Sequence, residues 1–109
     1  MRVLCVEPGK SPEVKEIPGD LASLQEEVGG YIEAVYPFED AVAIICNEEG
    51  KLIGLPPNRK FEYAGRDWYD IICGTFLIVG LSEDNFKSLT DEEVVKYMDM
   101  FKEVEVLIE

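Results

Sequence analysis

Short apolar runs alternate with turn-forming residues along this chain, a pattern typical of proteins built mainly from strands. Residues 2–7 predict a first strand and residues 13–17 a second, and the turn chemistry of Pro8 and Gly9 lies between them. Residues 31–38 are rich in β-branched and aromatic side chains, so they predict a third strand. The short distance between the first two strands predicts that they pair as an antiparallel hairpin.

Further apolar runs predict the rest of the sheet. Residues 41–46 are continuously apolar, which is the pattern of a strand covered on both faces. A turn at 48–51 followed by residues 52–55 predicts a second hairpin. We expect residues 56–69 to form a polar and aromatic loop. Residues 70–81 make the longest apolar run and predict the central strand.

A first helix is predicted after Asp20, which is a favourable N-cap residue. Leu21, Leu24 and Val28 recur at helical spacing and predict the buried stripe of this helix. Gly29 fits the left-handed position that commonly ends a helix.

A second helix is predicted by the capping box that Thr90 and Glu93 form. Val94, Met98 and Phe101 follow on one face of it, and residues 104–108 predict a short final strand. Local hairpins and two helices together predict an α+β fold: one domain over residues 1–109, with a mostly antiparallel sheet.

The charge balance limits the partners that the protein can have. The chain has 23 acidic and 10 basic residues, no histidine, and a net charge of −13. Nucleic acid and anionic membranes would repel such a protein, so neither is an expected partner. No apolar run has the length of a transmembrane helix, and Glu7-Pro8-Gly9 interrupts any signal-peptide core.

The cysteines indicate a reducing compartment. Cys5, Cys46 and Cys73 each lie in an apolar, strand-like run, and their odd number does not suggest a disulfide framework. We therefore expect buried, reduced thiols and a cytoplasmic protein.

Catalytic chemistry has little support in the sequence. Without histidine the usual neutral-pH base is absent, and no cysteine has a histidine partner. No Cys/His spacing fits a metal site. We predict a non-enzymatic protein with no catalytic residue, metal or cofactor.

A local concentration of positive charge predicts a binding site. Four of the ten basic residues, Lys51, Arg59, Lys60 and Arg66, lie between positions 51 and 66, where Glu62 is the one acid. A cationic segment on an anionic protein is a candidate site for an anionic ligand.

The predicted site combines that charge with stiff backbone and aromatic rings. Pro56 and Pro57 restrict the chain just before it. Arginine offers a planar fork for phosphate, and aromatic rings can stack on a base. The predicted ligand-binding residues are Asn58, Arg59, Lys60, Arg66, Trp68 and Tyr69.

An alternative interpretation of the same segment is structural. In it the prolines merely end a strand, and Arg59 pairs with a nearby acid such as Glu33 or Asp70. The aromatic side chains then belong to the core.

Three segments, residues 28–33, 47–59 and 70–80, resemble a family that is catalogued only as a domain of unknown function. The resemblance extends from Arg2 to about Phe101, and the pattern Gly-Leu-Pro-x-Asn-Arg is its most specific part. The family is frequent on phages, plasmids and conjugative elements of gut bacteria. The resemblance implies a small accessory protein of a mobile element, and such proteins often antagonise host defence.

These observations predict a protein that binds and sequesters a small anionic ligand, with a nucleotide-derived defence signal as the leading candidate. A deep pocket in a small domain is most readily built between subunits, so we expect a homo-oligomer. The alternative is an acidic inhibitor that binds a host protein directly, as a DNA mimic would, through residues such as Asp91, Glu92 and Glu93. A regulatory module for plasmid functions is a third class that the sequence leaves open.

Overall fold

The computed structural model describes residues 1–65 and 69–104, which form eight strands and two helices. In chain order the elements are β1 (Arg2–Val6), β2 (Glu13–Glu16), α1 (Leu21–Val28), β3 (Ile32–Val35), β4 (Val42–Asn47), β5 (Pro57–Glu62), β6 (Tyr69–Cys73), β7 (Phe76–Leu81), β8 (Phe86–Lys87) and α2 (Asp91–Met100). The Cα radius of gyration of 12.9 Å is that expected for one domain of about 100 residues.

The described strands form two antiparallel sheets. The larger sheet has the order β2-β1-β7-β4-β3, and β8 pairs with β7 beside this path. The second sheet is the two-stranded ribbon β5–β6. The predicted hairpin of β1 and β2 is confirmed, with Leu4 opposite Val14. This architecture confirms the predicted α+β fold.

Apolar cores lie on both faces of the larger sheet. Successive strand residues point to opposite faces, so Val3 and Leu4 enter different cores. The face that carries Val3 packs against Leu24 and Val28 of α1. The face that carries Leu4 is covered by α2 and the β5–β6 ribbon. All six residues of β4 are buried, as the continuous apolar run predicts.

Both helix starts have the predicted caps. The Asp20 side chain accepts an N–H from the third residue of α1, and Gly29 ends that helix with φ of 78°. Thr90 and Glu93 form the capping box of α2. One detail of the predicted stripe is wrong: Leu21 is 57% exposed, because it lies at the solvent side of the first helical turn.

The segment after β4 differs from the prediction. Residues 51–54 form turns instead of a returning strand, closed by the N–H of Ile53 on the carbonyl of Glu49 at 2.9 Å. The returning strand is β5, inside the segment predicted to be a loop. Proline is tolerated at the first position of a strand, where its missing N–H leaves no gap in the ladder, and β5 begins at Pro57.

The predicted central strand is two strands. Gly74 separates β6 from β7 with φ of 89°, a left-handed conformation that glycine adopts without strain. A β-carbon at Gly74 would lie 2.7 Å from Leu55 Cδ1, so the backbone also approaches that side chain closely. Only β7 occupies the centre of the larger sheet, between β1 and β4, while β6 pairs with β5.

The final predicted strand, 104–108, lies almost wholly outside the described residues, and Val104 itself is not in a strand. No helix in residues 1–65 and 69–104 is long and apolar enough to cross a membrane.

Candidate functional site

A groove of about 1070 Å³ separates β5 from the C-terminal turn of α2. Residues 37–39 close one end of it, and residues 102–104 line it after the helix. Pockets that hold small molecules typically have volumes of about 300–1,000 Å³. The groove is therefore large enough for a nucleotide-sized ligand.

Aromatic rings form the inner wall of the groove. The ring centroids of Phe38 and Tyr97 are 4.8 Å apart, and those of Phe61 and Tyr63 are 5.3 Å apart. Phe101 packs at right angles to its neighbours at the end of α2. These side chains continue the core beneath the groove, so its floor is apolar.

The described lining of the groove is less acidic than the chain as a whole. Its described lining residues include four cationic side chains, Arg59, Lys60, Lys96 and Lys102, and four acidic ones. Their formal charges cancel, whereas the chain as a whole carries −13. The groove therefore opposes the approach of an anion less than the rest of the surface does.

Two of the groove lysines form ion pairs at the surface. The Lys96 Nζ atom lies 2.6 Å from an Asp40 carboxylate oxygen, and that of Lys102 lies 3.1 Å from Asp99. Exposed ion pairs of this kind contribute only about 0–1 kcal/mol to stability. An anionic ligand can therefore take over either ammonium group at small cost.

Asn58 and Arg59 are buried although they are neighbours in a strand. Strand residues normally alternate between the two faces, so one of the pair should point to solvent. A β-bulge between Pro57 and Arg59 shifts the register there, and the two side chains are each 1% exposed. The last two residues of the segment identified as most specific in the sequence are therefore buried, whereas Gly54 and Pro56 at its start are exposed.

The guanidinium group of Arg59 joins three parts of the chain. Its Nη2 atom donates to the carbonyl of Lys10 at 2.7 Å and to that of Phe101 at 3.2 Å, and its Nη1 atom donates to Asn58 Oδ1 at 2.8 Å. The Phe101 carbonyl belongs to the end of α2, where helix carbonyls lack intrahelical donors and a cation is favourable. Arg59 thus fixes α2 against β5.

The amide group of Asn58 completes this connection. Its Nδ2 atom donates to the carbonyls of Val6 and Gly74, at 2.8 and 2.9 Å. The described contacts of Arg59 are with neutral oxygens, and Asp70 pairs with Lys51. The burial of Arg59 thus favours the alternative interpretation, in which its role is structural. Its described partners include main-chain carbonyls, whereas the sequence analysis expected an acid such as Glu33 or Asp70.

Lys60 and Tyr69 face outward. The Lys60 side chain is exposed, and its Nζ atom lies 5.4 Å from the centre of the Tyr69 ring. That ring is 57% exposed, so it can stack on a flat ligand at the outer surface of the ribbon. The other two predicted site residues, Arg66 and Trp68, lie outside the described residues.

Two titratable side chains beside the groove, Asp40 and Tyr97, have shifted pKa values. The hydrogen bonds from Lys96 and Tyr97 lower the pKa of Asp40, while burial and the hydrogen bond to Asp40 raise the pKa of Tyr97. Burial raises the pKa of the thiols of Cys5 and Cys46 to about 11.

Several groove residues escaped the sequence analysis. Lys96, Tyr97 and Lys102 belong to α2 or follow it, and Phe38 precedes β4. The capping box and apolar spacing located α2, but no local signal shows that this helix packs beside β5, more than 30 positions earlier. Only the folded chain brings these residues to the predicted cationic segment.

Comparisons with known proteins give a family and nothing more specific. No curated protein and no solved structure matches the chain. A family model described as a domain of unknown function, DUF3846, matches residues 1–102. That match covers nearly every described element, from β1 to the end of α2. The chain therefore belongs to the DUF3846 family.

Proposed function

We propose that this protein is a non-enzymatic binding protein that holds a small anionic molecule in the groove between β5 and α2. The ligand has an anionic group and a flat apolar part, and a nucleotide has both. The observation that carries the proposal is that four of the ten basic residues of the chain line one groove that has an aromatic wall.

The predicted site residues take two different roles in this proposal. Lys60, Lys96 and Lys102 have exposed ammonium groups and meet the anion. Tyr69 does not line the groove itself, and we retain it as a proposed ligand contact because its ring lies 5.4 Å from the Nζ atom of groove residue Lys60. Arg66 and Trp68 follow groove residue Gly65 in sequence, and we retain them as proposed ligand contacts.

Asn58 and Arg59 act indirectly in this proposal. Their buried hydrogen bonds hold β5 against α2, and these two elements are the walls of the groove. A ligand that touches both walls depends on their separation, because binding groups must be held in place before the ligand arrives. The two residues are therefore positioning residues for the site.

The resemblance to proteins of phages and mobile elements supplies a biological hypothesis. A small protein that binds a nucleotide-derived signal without destroying it lowers the free concentration of that signal. We propose that this sequestration, inside the host cytoplasm, counters a host defence. A homo-oligomer remains our proposed assembly state.

The alternative, a DNA-mimicking inhibitor, has weaker support. Asp91 pairs with Arg2 at 2.7 Å, and the Glu93 side chain accepts the N–H of Thr90 in the capping box. The Glu93 carboxylate is therefore used within the fold, whereas Asp91 remains 91% exposed despite its ion pair. A surface that imitates DNA should instead present its carboxylates to the partner.

Titration calorimetry with linear and cyclic nucleotides tests the proposal directly. We expect at least one nucleotide to release or absorb heat and to raise the melting temperature. Lys60→Ala and Lys102→Ala should each weaken binding by about tenfold or more, since a hydrogen bond to a charged group contributes about 1.5–3 kcal/mol. Lys87→Ala is the matched control, because Lys87 is exposed on β8, outside the groove.

The same experiment separates the two candidate functions. Nucleotide binding that the groove variants weaken and Lys87→Ala does not would support the groove. If no nucleotide binds, and pull-downs instead recover a protein partner that dissociates when salt is added, the inhibitor function replaces the nucleotide-binding function. Native mass spectrometry of the protein from its host adds a check that needs no assumed ligand, because a sequestered molecule adds its mass.

A further inference from the structure

Strand β3 forms one edge of the larger sheet, and no strand in residues 1–65 and 69–104 pairs with its outer side. It pairs with β4 on its inner side, with Glu33 opposite Cys46 and Ala34 opposite Ile45. The carbonyl of Tyr31 accepts the N–H of Glu48 at 2.9 Å, so the carbonyl of Tyr31 points towards β4.

Backbone groups alternate in direction along an antiparallel strand, which identifies the groups on the open side. Since Tyr31 and Glu33 point their carbonyls towards β4, Ile32 and Ala34 point theirs away from the sheet, together with their N–H groups. No described residue hydrogen-bonds to these outward groups. The edge therefore offers a ready template for another strand.

The opposite edge of the same sheet, strand β2, carries the features that prevent such pairing. Pro12 precedes it and lacks an N–H, and Glu13, Lys15 and Glu16 place charges along it. Charged residues and proline are the usual protection of an edge strand in natural proteins.

Strand β3 has less of this protection, although Pro37 follows Tyr36 beyond its end. Its sequence is Ile32-Glu33-Ala34-Val35, with one charged residue. The flanking tyrosines are both exposed, Tyr31 by 69% and Tyr36 by 58%. An apolar edge with exposed aromatic side chains at both ends favours association by strand addition.

We propose that the β3 edge pairs with the β3 edge of a second copy of this chain, about a two-fold axis through Ala34. In this register each Ala34 exchanges two hydrogen bonds with Ala34 of the second copy. Ile32 then lies opposite Tyr36 of the second copy, and Glu33 lies opposite Val35. The two larger sheets become one continuous sheet across the dimer.

A second copy suits this edge because the edge is complementary to itself. The two-fold axis puts each carboxylate beside a valine, so the two Glu33 side chains lie diagonally and not face to face. Like charges directly opposite would destabilise the pair. The self-paired interface of a two-fold dimer is also the commonest form of soluble oligomer.

The net charge of −13 on each copy opposes the dimer and gives it a characteristic salt dependence. Long-range repulsion between the copies weakens as salt shortens the Debye length. Added salt should therefore strengthen this dimer, whereas it weakens association between oppositely charged partners.

Sedimentation velocity over a concentration series tests the dimer, with no ligand present. Ala34→Pro removes an outward N–H from each copy without removing a bond to β4. We expect the dissociation constant to rise by about tenfold or more, from the hydrogen bonds lost at the two-fold axis. Tyr36→Glu is a second variant that alters only an exposed side chain, and it should weaken the dimer as well.

Val14→Pro is the matched control, because Val14 is the equivalent residue of the β2 edge. The amino group of Met1 donates to the carbonyl of Ile17 at 2.7 Å, so the backbone groups of Ile17 point towards β1. Because backbone groups alternate in direction along the strand, those of Val14 point away from β1. We expect Val14→Pro to leave dimerisation unchanged. Circular dichroism and melting curves identify any variant that fails to fold.

Three results would overturn the proposal. They are a monomer at every concentration and salt level, a dimer that Tyr36→Glu and a folded Ala34→Pro leave intact, and a dimer lost equally in Val14→Pro. Because no nucleotide is needed, this outcome is independent of whether the groove binds an anion.

Discussion

Replacing Arg59 by alanine should lower the stability of the folded protein. We expect this although, by chemistry alone, Arg59 is the residue best suited to bind a phosphate. The side chain is 1% exposed, and its nitrogens donate to the carbonyls of Lys10 and Phe101 and to Asn58 Oδ1. The substitution leaves those three acceptors without this donor. It also leaves a space between β5 and α2.

The expected loss follows from the hydrogen bonds. A buried acceptor that loses its partner costs about 1–3 kcal/mol, so three acceptors at the low end give about 3 kcal/mol. Each 1 kcal/mol corresponds to about 4–8 °C in the melting temperature of a small domain. We therefore expect the melting temperature to fall by roughly 12 °C or more. The loss of about 3 kcal/mol is a large part of the free energy of unfolding of a typical domain, which is about 5–15 kcal/mol.

Urea denaturation monitored by circular dichroism measures the loss, and Lys60→Ala is the control at the next position. Lys60 is exposed and contacts the Tyr69 ring, so its loss should cost less than about 1 kcal/mol. The two variants should therefore separate: Arg59→Ala lowers stability, and Lys60→Ala lowers ligand affinity. A stable Arg59→Ala protein that has lost nucleotide binding would refute the positioning role and make Arg59 a direct ligand contact.

Three further predictions concern the fold. Gly74→Ala should destabilise the protein more than Gly9→Ala in thermal melts, because both glycines have positive φ but only at Gly74 does a β-carbon collide with Leu55. Thr90→Ala should cost about 0.5–2 kcal/mol in urea denaturation by removing the capping box of α2, and Thr90→Ser should restore most of it. The lowered pKa of Asp40 means that its contribution to stability is fully present above about pH 4 and is lost as the pH falls through the folded-state pKa. The stability difference between the wild type and Asp40→Asn should therefore shrink on acidification below pH 4, and a difference that does not change with pH would contradict this.

Predictions from local sequence were accurate where the structure depends on neighbouring residues. Asp20, Gly29 and Thr90 mark helix ends because a cap bonds to backbone groups within one turn. The hairpin of β1 and β2 follows from a short turn between two apolar runs. The continuous apolar run of β4 correctly predicted burial on both faces, since that pattern depends on hydrophobicity alone.

The errors arose where distant contacts decide the conformation. Residues 52–55 have the apolar character of a strand, yet they form turns, and the strand starts after Pro56 because β6 is there to pair with it. The run 70–81 is strongly apolar on both sides of Gly74 and Thr75, so its division into two separate strands there cannot be read from hydrophobicity alone. Gly74 reverses the chain because Leu55 and Asn58 pack and bond against it.

For the candidate site, the sequence identifies the charged and aromatic residues that are present, and folding sets where their side chains lie. Composition fixed an acidic chain with one cationic segment, but the local pattern predicted a loop over residues 56–69, where the structure has strand β5. A β-bulge turned Arg59 inward to Phe101, 42 positions away, and left Lys60 facing solvent. The direction of a side chain in a strand changes with a single shift of register. That shift is set by the pairing of β5 with β6, so only the folded chain separates the residue that holds the groove together from the residue that is exposed beside it.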